Sequence, residues 1–196
     1  MKKILLFLTF ATALMTQAQN VLESDFNTVH GTAPFSKITN AQYEPAIDRG
    51  IRLALEGIDA ITSNPEPPTF ENTIVALERN GEDLNRVLNI FFPLLSADAD
   101  DEMLEISNRI SPKLSDFSTS ITLNNALWKR VKAVYDNRAN LKLTPEQQTL
   151  LQKTYDSFAL QGANLEGEDR ETYRRLSSEL SSLTNTFGQN VLKEMA

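Results

Sequence analysis

The chain has 196 residues, 41% hydrophobic and 23% charged, with 8 Pro, 7 Gly and no Cys. That balance excludes a disordered tail, a collagen-like fibre and a disulfide scaffold, and the length suits one generous domain or two small ones. Nineteen Lys and Arg stand against 26 Asp and Glu, for a net charge of −7. Nucleic acid is thereby excluded as an expected partner: the one tight basic cluster is Lys129, Arg130 and Lys132, which makes no stripe. A single His and no Cys also leave too few imidazole and thiolate ligands to build a zinc site from this chain.

Lys2 and Lys3 precede an uncharged run from Ile4 to Met15, and Thr16-Gln17-Ala18 puts small residues at the two positions a signal peptidase reads. The run falls short of the roughly 20 apolar residues of a membrane span. Residues 1–18 are therefore expected to be a cleaved secretory signal and not an anchor, and the absence of Cys excludes a lipid anchor. The mature chain is expected to be exported, periplasmic or secreted, with no membrane segment. With no disulfide to form, its stability must come from packing.

Residues 19–39 lack a period and are expected to form an extended arm packing through Phe26 and Phe35. Helical periodicity then runs through residues 40–196, so the expected fold is all-α and multi-helical. Asn40 is the expected cap of a first helix, with Pro45 near its start and Ile47, Ile51, Ala54, Leu55, Ile58 and Ile61 on its apolar face. Asn64-Pro65-Glu66-Pro67-Pro68 ends it. From Thr69 a second stripe holds Phe70, Ile74, Leu77, Leu84, Leu88 and Phe91. Asn80-Gly81 is a strong hairpin dipeptide, but its flanks repeat every three or four residues and do not alternate. One helix with a weak point at Gly81 is expected, closed by Pro93 or by residues 96–101.

A third helix is expected from about Asp100, with Met103, Ile106, Ile110, Leu114 and Phe117 on one face and a kink at Pro112. A fourth starts at Asn124 or Asn125 and carries Leu127, Val131, Val134 and Tyr135. Thr144-Pro145-Glu146-Gln147 reads as a capping box with Pro in the first helical position, and Leu151, Tyr155 and Phe158 follow up to Gly162. The last helix, from near Glu168, places Tyr173, Leu176, Leu180, Leu183, Phe187 and Val191 in a seam suited to packing along another helix. That seam is still periodic close to Ala196, which makes a longer parent chain the expectation.

No set of residues assembles an active site. Asp98, Asp100, Asp101 and Glu102 suggest a calcium loop, but Met103 stands where an EF-hand needs Gly and the distal Glu is missing, so helix capping is the expected role. Glu166, Glu168, Asp169 and Glu171 read as another solvated helix start. Ser177, Ser178, Ser181 and Ser182 have no nucleophile elbow, and His30, the one candidate base, lies beside Gly31 in the irregular arm, where a hydrogen bond or local packing is expected. Trp128 and the Phe residues sit at helical spacing and are expected in the core. Neither a Gly-rich phosphate loop nor a His-Glu-x-x-His motif occurs. The expected catalytic, cofactor-binding and metal-binding residues of this chain are none.

The order of segments says more. His30-Gly31-Thr32-Ala33-Pro34-Phe35, Tyr43-Glu44-Pro45-Ala46, and Pro68-Thr69-Phe70-Glu71-Asn72-Thr73-Ile74-Val75-Ala76-Leu77-Glu78 come in succession. Ile90-Phe91-Phe92, Ser111-Pro112-Lys113-Leu114, Leu127-Trp128-Lys129-Arg130-Val131 and Leu176-Ser177-Ser178-Glu179-Leu180 keep the register. This set resembles the amino-terminal region of the thimet oligopeptidase and neurolysin family of zinc metallopeptidases, nearest to the bacterial peptidyl-dipeptidases. The resemblance implies a neurolysin-like helical domain lining one wall of a channel that admits short peptides. It places the chemistry elsewhere, on a zinc held by a His-Glu-x-x-His helix and a further Glu, in a carboxy-terminal catalytic half whose motif Glu activates water. None of those positions exists in this chain, so zinc is expected only in a complete enzyme, with short peptides and the missing half as partners. The alternative is a stand-alone helical module that binds peptides or a partner without cleaving them.

Overall fold

The computed structural model describes residues 20–163 and 165–195. The expected signal, residues 1–18, lies outside the described residues. Seven α-helices and no β-strand occur among the described residues: α1 (Tyr43–Thr62), α2 (Ala76–Arg79), α3 (Glu82–Ala97), α4 (Asp101–Thr122), α5 (Asn125–Asp136), α6 (Pro145–Leu160) and α7 (Gly167–Met195). The all-α expectation is met.

The amino-terminal arm is a string of short 3-10 turns, at Val21–Glu23, Val29–Gly31 and Phe35–Lys37. Leu22 anchors it, 1% exposed in the core beside α1 and α3. Phe26 packs against the same core under the Arg86 guanidinium, 5.8 Å from the ring centre. Phe35 does not share this role: it is 59% exposed, because its 3-10 turn carries it away from the helices.

The chain enters α1 through a 3-10 turn at Asn40–Gln42, where the Thr39 N–H donates to Gln42 Oε1 at 2.9 Å. Asn40 is thus inside the turn, and its amide instead donates to Asp100 and Glu102 at the start of α4. α1 is the spine of the molecule. Its first half, through Tyr43, Ala46 and Ile47, shares a core with α3 and α4, and its second half, through Ile58 and Ile61, shares a second core with α5 and α6. Aromatic rings fill both: Tyr43 meets Phe91 edge-on at 5.0 Å, and Trp128 lies 5.2 Å from Tyr155 and 6.2 Å from Phe158. Fully burying a side chain such as Phe91 or Ile47 contributes about 1.5–3 kcal/mol. Leu55, expected on the buried face, is 38% exposed because the face actually buried passes through Ala54 and Ile58.

Two departures concern the second stripe. After the capping box of Thr69 and Asn72, Phe70–Val75 winds as a π-helix before tightening into α2. The chain then breaks outright at Asn80-Gly81, with Asn80 extended and Gly81 left-handed at φ 83°, so one expected helix is two. The break is held from outside, since Asn80 Nδ2 donates to the Ala54 carbonyl of α1 at 3.0 Å. By contrast α3 continues through Pro93, and α4 runs unbroken through Pro112. The caps of α4, α5 and α6 are Asp100, Asn124 and Thr144, each accepting a backbone N–H three residues on.

Candidate functional site

α7 is the longest helix, and α4 carries it. The contact is polar. Ser107, fully buried on α4, donates to Asn185 Oδ1 at 3.0 Å, while Asn185 Nδ2 and Gln189 Nε2 each donate to Asn108 Oδ1 at 2.8 Å. Nearer the start of α7, Ser115 Oγ donates to the Ser177 carbonyl, and Arg170 binds the Leu123 carbonyl and, at 2.9 Å, Asn125 Oδ1. The serines singled out in the sequence thus have a structural place. Ser177, Ser178 and Ser181 are half-buried on the side of α7 nearest α4, small enough to let the two helices approach.

The apolar seam points elsewhere. At 3.6 residues per turn, Leu176, Leu180, Leu183, Phe187 and Val191 line a different face from Ser177, Ser181, Asn185 and Gln189. They are 50%, 65%, 60%, 70% and 40% exposed. The expectation that this seam packs along another helix is not met within the described residues, because α4 takes the polar face. Where the stripe ends, Phe187, Val191 and Leu192 close with Leu95 and Leu104 around a groove of about 380 Å³. A second apolar groove, about 550 Å³, lies between α2, α4 and α6, lined by Leu77, Phe117, Ile121, Leu150 and Phe158 and edged by Glu78 and Lys153.

Charged groups brace the scaffold. Glu44 of α1 accepts from Arg109 Nε at 2.8 Å and Lys113 Nζ at 3.1 Å, and Lys113 also reaches Asp48 at 2.7 Å. The Arg109 hydrogen bond holds the Glu44 carboxyl below its ordinary range, and Asp48 holds the Lys113 ammonium above its own. Asp100 is likewise lowered, by the Met103 N–H it caps and then by Asn40. These bonds give Asp100 the capping role the sequence suggests, with Asp101 and Glu102 in the first turn of α4. Arg130, one of the three clustered basic residues, is buried. Its guanidinium donates to the Asn64 and Glu66 carbonyls at 3.0 and 3.2 Å and to Asn72 Oδ1 at 3.1 Å. No periodicity signals that role, since charge alone predicts a solvated side chain.

His30 is exposed in the left-handed region at φ 59°. Among the described residues no group of three His, Cys, Asp or Glu comes together to hold a metal ion. No helix among them is long and apolar enough to cross a membrane.

No family model matches the chain. Individual relatives do. Over 158 residues, 81% of this chain, it is 37% identical to the dipeptidyl carboxypeptidase of Escherichia coli K12 and to that of Salmonella typhimurium LT2. It is 26% identical over 159 residues to oligopeptidase A of Escherichia coli K12. Each match takes in 23% of the relative, so the chain spans about a quarter of the length of these peptidases.

Proposed function

The chain is a homologue of the amino-terminal region of dipeptidyl carboxypeptidase and oligopeptidase A, in the thimet oligopeptidase family, and we propose that it forms the non-catalytic channel wall of an exported zinc peptidase that releases dipeptides from short peptides. The observation that carries this reading is the 37% identity over 81% of the chain, confined to 23% of the relatives. It is supported by the structure in one respect: the helices form a braced scaffold with an apolar face left over.

The residues present do not fit a catalytic zinc. With one His and no Cys in the sequence, and no group of three His, Asp or Glu brought together among the described residues, this chain offers no ligand set for the ion or its water. In this reading zinc belongs to a carboxy-terminal catalytic half, and this chain's part is to shape and close the channel. Export rests on residues 1–18, and recovery of a mature chain beginning at Gln19 is the expected result of mass spectrometry on protein made in a secreting host.

The activity test is an exchange. The stretch of Escherichia coli dipeptidyl carboxypeptidase that aligns with this chain, taken through the helix corresponding to α7, is replaced by residues 19–196. The exchanged enzyme is expected to release dipeptides from an amino-blocked peptide, while the 196-residue chain alone releases none. A folded exchange protein without activity overturns the proposal. The 550 Å³ apolar groove favours a second reading, a stand-alone module that holds peptides. Under it the isolated chain binds short peptides, read as a change in fluorescence of Trp128, which stacks on the groove residue Phe158.

A further inference from the structure

We infer that the outward stripe of α7, from Leu176 to Val191, is the seat of an amphipathic helix contributed by the part of the peptidase that this chain does not span. The inference rests on the reading above and names the surface through which the two parts join.

Among the described residues these side chains stay 40–70% exposed, and only Phe187 and Val191 reach Leu95 and Leu104 across the groove. Asn185 and Gln189 hold α7 to α4, and Arg170 fixes its start, so the stripe is surplus to the fold as it stands. Its spacing of four, three, four and four residues is that of one helix lying along another, the period at which knobs from a partner helix meet holes on a single face. Its length, ~22 Å at 1.5 Å per residue, matches about four turns of such a partner. The groove bounded by Leu95, Leu104 and Phe187 continues the stripe at one end and offers a pocket to a bulky side chain of that helix.

Area decides between a tethered helix and a second copy of this chain. Five side chains exposed by 40–70% present on the order of 500 Å², below the roughly 800 Å² per partner of a stable free association. A helix in the same polypeptide needs less surface, because the connection supplies its effective concentration. The relatives have the material for it, since more than three quarters of their length lies outside the match.

The test places Leu180→Glu with Phe187→Glu in the exchanged enzyme and in the isolated chain. In isolation the double variant is expected to melt as the parent does, because both side chains are exposed, and to bind less of a hydrophobic dye. In the exchanged enzyme it is expected to lose at least ~10-fold in dipeptide release, one tenfold step corresponding to about 1.4 kcal/mol, and to expose new proteolytic cuts within α7. If the parent exchange is active and the double variant matches it in activity and protease resistance, the inference fails while the proposed function stands. If the folded parent exchange is inactive, both fail. A concentration-dependent dimer of the isolated chain that the double variant abolishes assigns the stripe to a second copy and also overturns the inference.

Discussion

Arg130 shows how a charged residue becomes structural. It is 8% exposed, has no carboxylate partner among the described residues, and spends its two terminal nitrogens on two loop carbonyls and Asn72, while its buried Nε finds no partner there. Asn72 Oδ1 also accepts from the Thr69 N–H and the Thr73 hydroxyl, so one oxygen gathers the Pro-rich loop, the π-helical turn and α5. Charge-assisted bonds of this kind outweigh an apolar replacement only if the freed carbonyls stay unpaired. Arg130→Met is expected to cost about 2 kcal/mol in urea unfolding and to open residues 64–68 to proteolysis. At Glu44 the test is pH. Its carboxyl is held below the ordinary value of 4.5, so its stabilisation is complete above that value and is lost as pH falls through the lower folded one. Between about pH 5 and pH 3 the melting temperature of Glu44→Gln is therefore expected to fall less than that of the parent. Lys113, held above 10.5, contributes in the opposite sense, losing its share only as the solution becomes strongly alkaline.

The junction of α2 and α3 shows what an element needs from its neighbours. Asn80-Gly81 permits a break, and α1 enforces it: Asn80 reaches the Ala54 carbonyl, and its side chain fills the space beside Gly57. A methyl group at Gly57 would stand 2.0 Å from Asn80 Oδ1. Alanine in a helix interior is worth about 1 kcal/mol more than glycine, so Gly57→Ala by itself ought to stabilise α1. Here it is expected to destabilise by about 1 kcal/mol, because Asn80 must turn away and lose its bond. In an Asn80→Ala background the same substitution is expected to change sign and stabilise by about 1 kcal/mol. A double-mutant cycle in urea measures both, and additive effects would break the link between Gly57 and Asn80. This junction was half legible: the dipeptide marks a weak point, but its conversion into a break depends on a carbonyl 26 residues away.

For the whole molecule, the two cores and α7 differ in what holds them. The cores along the two halves of α1 are built from buried apolar side chains, whereas α7 rests on α4 through amides and hydroxyls with its leucines outward. Local opening is cheapest where few apolar contacts break. Backbone amides from Leu176 to Val191 are expected to exchange with deuterium faster than those of α1 and α5 in the isolated chain. In the active exchanged enzyme they are expected to slow. Equal protection of α7 and α1 in the isolated chain would contradict the polar seat described here.

The sequence by itself determined the helical class, most helix ends and most of the core, because caps, proline positions and a three-to-four residue period are local and act wherever the chain lies. Thr144, Pro145 and Gln147 illustrate this: their bonds close within three residues. It also carried the family resemblance, through segments spread along the chain. Tertiary structure alone decided the burial of Arg130, the exposure of Leu55 and Phe35, the break at Gly81 and the face by which α7 docks. An amphipathic period shows that a helix has an apolar side, but which side is covered depends on the neighbour it meets, and α4 offered α7 a polar one.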